Sequence, residues 1–241
     1  MPSLSRNDPR QYDDLADQWW RPGGVFELLH WLAEARARLI PPASRPGAIL
    51  LDAGAGAGLL APHVAGKGYV HVGVDLRQSG LNLAAARGVR VIRGDVTALP
   101  LASASADVVA AGEILEHVTD LPATVAEITR VLKPGGLVVL DTLNDTVLSR
   151  FVTITAGEAI GVAPKGLHDG ALFVDPRRLT AEFARHGVRL EVRGARPSAP
   201  GLLRWLLLHH QPNGRPLGRI LPTRSTAVLY QGRGRKEEET A

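Results

Sequence analysis

The run Leu51-Asp52-Ala53-Gly54-Ala55-Gly56-Ala57-Gly58 constrains this chain more than any other stretch. Ile49-Leu50-Leu51 reads as a buried strand, and three glycines at alternate positions lead from it into a helical stretch at about 58–66. Glycines at a strand-to-helix turn let the backbone pass close to a bound ligand, and the helix N-terminus carries partial positive charge. A pyrophosphate would sit well there, and so would a carboxylate, so the glycines alone do not choose the ligand.

The turn opens a regular rhythm. Strand-like pieces at Ala48–Ala53, Tyr69–Asp75, Val89–Arg93, Asp107–Ala111 and Leu137–Thr142 alternate with helical stretches at about 58–66, 79–87 and 121–132. Further strands are expected at Val188–Arg193 and Thr226–Gln231. This predicts an α/β fold: a Rossmann-like, doubly wound, mostly parallel sheet of seven strands covered on both faces. A helix from Val25 to Ile40, stopped by Pro41-Pro42, lies in an N-terminal cap of residues 1–45. After Thr142 the rhythm breaks, and residues 143–170 read as a lid inserted after the fifth strand. A capped helix near Asp175–His186 and an apolar, helix-like Gly201–His210 follow. Residues 1–231 are expected to form one domain and the charged 232–241 a disordered tail.

Composition narrows the function classes. The chain has 241 residues and no cysteine, which excludes disulfides, thiolate metal sites and a cysteine nucleophile. Its net charge is only +4, no dense basic block occurs, and aromatic residues make up 5%, which argues against nucleic acid as a partner. No window approaches the roughly 20 apolar residues that span a bilayer, and the polar start lacks a signal-peptide core, so a cytoplasmic location is expected.

The acids near the glycines sharpen the ligand. The dehydrogenase fingerprint is G-x-G-x-x-G, whereas this turn is G-x-G-x-G preceded by Asp52. Asp75 closes the second strand, where a carboxylate can accept both ribose hydroxyls, and Asp95 follows the third. Each acid alone could be a turn residue. Together with Lys133-Pro134-Gly135-Gly136 before the fifth strand, they resemble the marks of class I methyltransferases. That resemblance implies S-adenosylmethionine as cofactor, bound by Asp52, Gly54, Gly56, Gly58, Asp75, Leu76, Asp95 and Val96.

A narrower resemblance rests on Asp17-Gln18-Trp19-Trp20, Gly24-Val25-Phe26, Leu29-His30, Glu113-Ile114-Leu115-Glu116-His117-Val118, Thr142-Leu143-Asn144 and Pro164-Lys165-Gly166-Leu167-His168-Asp169. These segments resemble the ubiquinone-biosynthesis O-methyltransferases, which methylate hydroxyls of a polyprenylated catechol ring. The match runs from about residue 10 to 180. It implies that Arg36 contacts the cofactor and that Gly112 lines its adenine side. Two departures stand out: Ala33-Glu34-Ala35 replaces an Asn-Pro pair before the arginine, and Leu167 replaces a usual threonine. They leave the exact acceptor open.

Methyl transfer to a phenol is an in-line displacement, and the hydroxyl, with a pKa of about 10, must lose its proton. If a helical turn begins after the fourth strand, spacing i, i+3, i+4 puts Glu113, Glu116 and His117 on one face. The resemblance implies a divalent cation such as Mg²⁺ on these three, while a pocket wall or proton acceptor is the other reading. His168, beside Asp169, is a second candidate general base or a solvated loop histidine. His30 is read as a satisfied, partly buried histidine, and His209 and His210 are given no role. The lid and Leu202–Leu208 are either ordinary core packing or a peripheral membrane contact that collects a lipid-tailed aromatic substrate, with Arg150 and Lys165 near headgroups. The rival readings are a methyltransferase with another small-molecule acceptor and no metal, a non-catalytic S-adenosylmethionine-binding protein, and, distantly, a dehydrogenase. Oligomeric state is not encoded in any of these features.

Overall fold

A computed structural model describes residues 4–208 and 217–238. The chain begins with a short helix α1 (Gln11–Asp14) and a 3-10 turn, Ala16–Gln18, within a strap that leads to α2 (Glu27–Leu39). Strands and helices then alternate: β1 (Ile49–Ala53), α3 (Ala61–Val64), β2 (Val70–Asp75), α4 (Gln78–Ala85), β3 (Arg90–Arg93), β4 (Ala106–Gly112), α5 (Leu121–Val131) and β5 (Leu132–Leu143). The inserted segment expected as a lid forms α6 (Val147–Arg150), a π-helical segment Phe151–Ala156 and α7 (Gly157–Ala159). The remainder is α8 (Pro176–Arg185), β6 (Val188–Pro197), α9 (Ala199–Leu207), β7 (Ile220–Thr223) and β8 (Leu229–Lys236).

Among the described residues the strands form one sheet in the order β3-β2-β1-β4-β5-β8-β6-β7. β1 to β5 run parallel, while β8 is antiparallel to both of its neighbours, β5 and β6. The sheet therefore has eight strands rather than seven. The addition is β7, a four-residue edge strand on β6 whose Leu221-Pro222 offers no alternating pattern to read. A second correction concerns the tail: residues 232–236 are paired in β8, opposite Leu137–Leu140 of β5 and Val188–Val192 of β6. Gly232 and Gly234 look like tail residues, yet a Cβ on either would meet Leu140 or Val188 at about 3 Å. His209 and His210 lie outside the described residues.

The two faces of the sheet are both buried, as near-continuous apolar strands require. Leu50, Val108, Ala110, Leu137 and Val139 turn toward one face with Ala37 and Ile40 of the cap. Leu51, Val109, Ala111, Val138 and Leu140 turn to the other, under Val125, Ile128, Leu179 and Phe183. Between β1 and β4 the connections leave in opposite directions along the sheet, and a crevice opens at the C-terminal strand ends.

The cap is fixed over that crevice by one buried acid. Glu27 accepts from Trp31 Nε1 at 2.8 Å, Gly23 N at 3.0 Å and Leu217 N at 3.2 Å. Trp205 of α9 donates to Gly23 O at 3.1 Å, joining α9 to the same corner. Glu27→Ala would leave three donors without an acceptor, a loss expected to destabilise the fold by about 2–4 kcal/mol. Urea unfolding measures it, and an unchanged midpoint would remove Glu27 from this role.

Candidate active site

The glycine turn takes its shape from positive backbone angles. Gly54, Gly56 and Gly58 have φ of 76°, 50° and 74°, a region that side chains with a Cβ disfavour. Gly54 and Ala55 donate to Val74 O, which bends the chain from β1 over the end of β2. Asp75 then accepts from Gly56 N at 2.9 Å and Arg77 N at 2.8 Å. Burial pushes the Asp75 carboxyl up, opposed by these two amide donors. The turn is closed from above by Trp19, whose ring would lie 3.1 Å from a Cβ at position 56.

A cavity of about 1060 Å³ runs from this turn across the strand ends to the lid. Of the expected cofactor residues, Arg36, Asp52, Gly54, Gly56, Asp75, Leu76, Asp95, Val96 and Gly112 line it. Gly58 does not; it makes room for Ala84 of α4, which a Cβ would meet at 2.9 Å. Asp95 is held by its own turn, accepting from Thr97 N at 2.8 Å and Thr97 Oγ1 at 2.7 Å.

Arg36 and Gly112 turn out to be one feature. The Arg36 guanidinium pairs with Asp141 of β5 at 2.5 Å, and both side chains are buried. It occupies the space where a side chain at Gly112 would begin, since a Cβ there would lie 1.2 Å from Arg36 Nη1. Gly112 is thus a vacancy for the arginine as well as part of the cavity wall. Arg36 Nε has no protein partner. Asp141 was legible only as an acid inside an apolar strand, a signal that composition alone passes over.

Glu113, Glu116 and His117 do not share a face. Glu113 has φ of 52°, and the next turn, Leu115–His117, is a 3-10 helix, so the α-helical spacing assumed from the sequence does not apply. Glu116 turns inward, fully buried, and accepts from Thr142 Oγ1 at 2.8 Å; it does not line the cavity. Glu113 reaches the cavity wall, and Glu113 Oε1 and Glu116 Oε1 are both buried without a hydrogen-bond partner. Burial pushes Glu116 up to about 7 and Glu113 well above the ordinary carboxylate range, the latter also raised by Glu116 and Asp141. Two such acids fit one shared proton. Among the described residues no group of three or more His, Asp or Glu is arranged to hold a metal ion. The three-ligand cation site is therefore corrected: its imidazole faces elsewhere.

His117 faces the cavity and the strap. Its Nδ1 lies 2.6 Å from Asn7 Oδ1, and its Nε2 lies 3.4 Å from the Tyr12 hydroxyl. Burial lowers its pKa to about 3, so it is neutral at neutral pH. His168 stacks on it, with ring centroids 5.3 Å apart, and burial lowers its pKa to about 4. Asp169 is not a partner for His168; it caps the turn Gly170–Leu172 by accepting from Ala171 N. His30 bonds Trp19 O at 2.8 Å, the satisfied histidine expected. Sequence reasoning missed Asn7 and Tyr12, because a polar strap without periodicity carries no signal of what it covers.

A Methyltransferase domain family model matches residues 51–140. A ubiquinone biosynthesis O-methyltransferase of Paraburkholderia phytofirmans is 36% identical, covering 77% of this chain and 83% of that protein. One of Thiobacillus denitrificans is 34% identical over 79% and 86% of the respective chains. In three dimensions the chain is similar to a SAM-dependent methyltransferase from Thermotoga maritima, with a TM-score of 0.65, 18% identity, and coverage of 95% of this chain and 97% of that one.

The carboxyl pair is testable without any ligand. Folded Glu116 keeps its proton up to about pH 7, whereas the unfolded chain releases it near 4.5, so this group's contribution to stability falls as pH rises through that window. Glu116→Gln is expected to gain on the wild type between pH 5 and 8, by about 1–3 kcal/mol at the upper end. A pH-independent difference in urea midpoints would contradict the shared proton.

Proposed function

This chain belongs to the family of ubiquinone-biosynthesis O-methyltransferases, S-adenosylmethionine-dependent enzymes, and from that premise we propose that its acceptor is a hydroxyl of a lipid-tailed catechol or quinol ring. The observation that carries this reading is the continuous cavity of about 1060 Å³, polar at the glycine turn and apolar at the lid. It lies just above the range of about 300–1,000 Å³ typical of one small-molecule site, so cofactor and acceptor can share it. Its far end is lined by Val152 and Ile160 of the lid, Leu202 and Leu206 of α9, Ile220 and Leu229. A polar acceptor would leave that wall unmatched, and an apolar tail fills it.

When bound, the cofactor supplies a methyl group on a sulfonium. In this reading Asp75 receives the ribose hydroxyls, and Arg36 offers its charge to the amino-acid carboxylate, which puts Gly112, against its guanidinium, at that end of the cofactor rather than on the adenine side. His117 would take the proton of the acceptor hydroxyl on Nε2 as that oxygen is methylated. Burial keeps the imidazole neutral at neutral pH, so it carries a lone pair that can take the proton, and His168 stacks against it as a second neutral ring. No step is routed through a cation, because Glu116 lies behind the cavity wall, bonded to Thr142, and His117 Nδ1 is held by Asn7.

The acceptor's tail also suggests where it is collected. Among the described residues no helix is long and apolar enough to cross a membrane. Yet the lid exposes Val147 (81%) and Phe151, and α9 exposes Leu203 and Leu207 (71%). The two helices pack on one apolar cluster through Ile154 and Leu202, which supports reading them as one face against a lipid surface at the inner side of the membrane. Arg150, expected near headgroups, is instead engaged by Asp145 and Gly170 O.

Three measurements test these readings. S-adenosylhomocysteine should form with prenylated catechols, faster than with untailed ones, and persist in EDTA. No turnover on any catechol would refute the acceptor, and loss restored by Mg²⁺ would return the acids to a cation. Gly112→Ala should expel Arg36 and weaken S-adenosylmethionine binding at least about tenfold by calorimetry, or 1.4 kcal/mol; unchanged affinity would free Arg36 from the cofactor. Phe151→Asp/Leu207→Asp should abolish sedimentation with anionic vesicles, and equal binding would leave the face as ordinary surface.

A further inference from the structure

Asn7 belongs to the polar strap before α1, a segment to which the sequence assigned nothing. Its side chain makes two contacts with one residue 110 positions away: Nδ2 donates to His117 O at 2.9 Å, and Oδ1 lies 2.6 Å from His117 Nδ1. The two contacts together fix more than either does alone. A backbone carbonyl can only accept, so the amide nitrogen must face His117 O. The amide oxygen is then left facing Nδ1, and an oxygen that only accepts requires a proton on that nitrogen. Neutral imidazole carries one such proton, so Nε2 is the bare nitrogen, on the side of the Tyr12 hydroxyl at 3.4 Å.

We propose that Asn7 is a positioning residue that sets the tautomer of His117, leaving Nε2 as the lone-pair nitrogen that meets the acceptor hydroxyl. The proposal rests on the reading of His117 as proton acceptor given above. Without the clamp, the ring is free to carry its proton on Nε2, where it can donate but not accept. Asn7 is itself located by the lid. Its backbone N–H donates to Gly166 O at 2.8 Å, Gln11 donates to the same oxygen at 3.2 Å, and Arg6 pairs with Glu158 at 2.6 Å. The loop 164–169 thereby acts on the chemistry through the strap: with Gly166 in place, Asn7 is in place, and His117 presents the correct nitrogen.

The tautomer is read directly from long-range ¹⁵N–¹H spectra of histidine-labelled protein, with His117 assigned by its disappearance in His117→Gln. The wild type should show a protonated Nδ1. Asn7→Asp keeps an acceptor on Nδ1 and should retain that tautomer and most of the turnover. Asn7→Leu, matched in size without polar atoms, should move the proton to Nε2 and lower kcat at least about tenfold, within the range a general base supplies. The KM for S-adenosylmethionine should not move. In the His117→Gln background Asn7→Leu should cost nothing further. A wild-type ring protonated on Nε2, or a tautomer indifferent to Asn7→Leu, overturns the proposal, as does an equal further loss in the His117→Gln background. If Asn7→Leu moves the tautomer while His117→Gln alone keeps full turnover, the positioning role stands and the proton-acceptor reading falls.

Discussion

The buried pair of Arg36 and Asp141 is the constraint around which the rest is arranged. It joins the cap helix α2 to the middle of the sheet, at the mouth of the crevice. Asp141 also receives Gln231 of β8 at 3.5 Å, and its carbonyl accepts from Glu113 N at 3.0 Å, so cap, sheet and the turn after β4 meet at one residue. Such a pair is a poor source of stability, because desolvating two charges offsets much of their attraction. Its value is in specificity: the guanidinium fits only where Gly112 leaves space, and it arrives with donor capacity unspent.

How much of this was legible in the sequence depended on whether a local rule applied. The turn from Asp52 to Gly58 was readable because positive φ at alternate residues demands glycine, and demand of that kind leaves a mark. The parallel strands were readable because burial on both faces makes them continuously apolar. The helix after Asp175 was readable because that carboxylate accepts from Arg177 N and Arg178 N, as a cap should. Each of these is settled within a few residues of chain.

The failures share the opposite property. Glu113–His117 was read at helical spacing, but Glu113 takes a left-handed conformation that hands Glu116 to Thr142 and His117 to the strap. Nothing local announces a non-glycine residue at φ of 52°; the surrounding packing imposes it. Arg36 with Gly112, and Asn7 with His117, are contacts between residues far apart in sequence, and neither member alone indicates the other. The glycine-turn end of the cavity is built from local turns and was largely legible. The end around His117 is built from distant contacts and was not.

The strand order has a consequence for how the molecule comes to exist. β8 lies between β5 and β6, and Gln231 meets Asp141 from 90 positions further along the chain. Until residues 229–236 have left the ribosome, β5 presents an open edge and β6 has no inner neighbour to join. The parallel half is complete as a sequence long before it can be complete as a sheet. Growth from the N-terminus therefore leaves an apolar, unpaired strand waiting for its wedge, the state in which a nascent chain is most exposed to wrong pairing. A segment whose residues 232–236 read as part of a charged tail is, for assembly, the keystone.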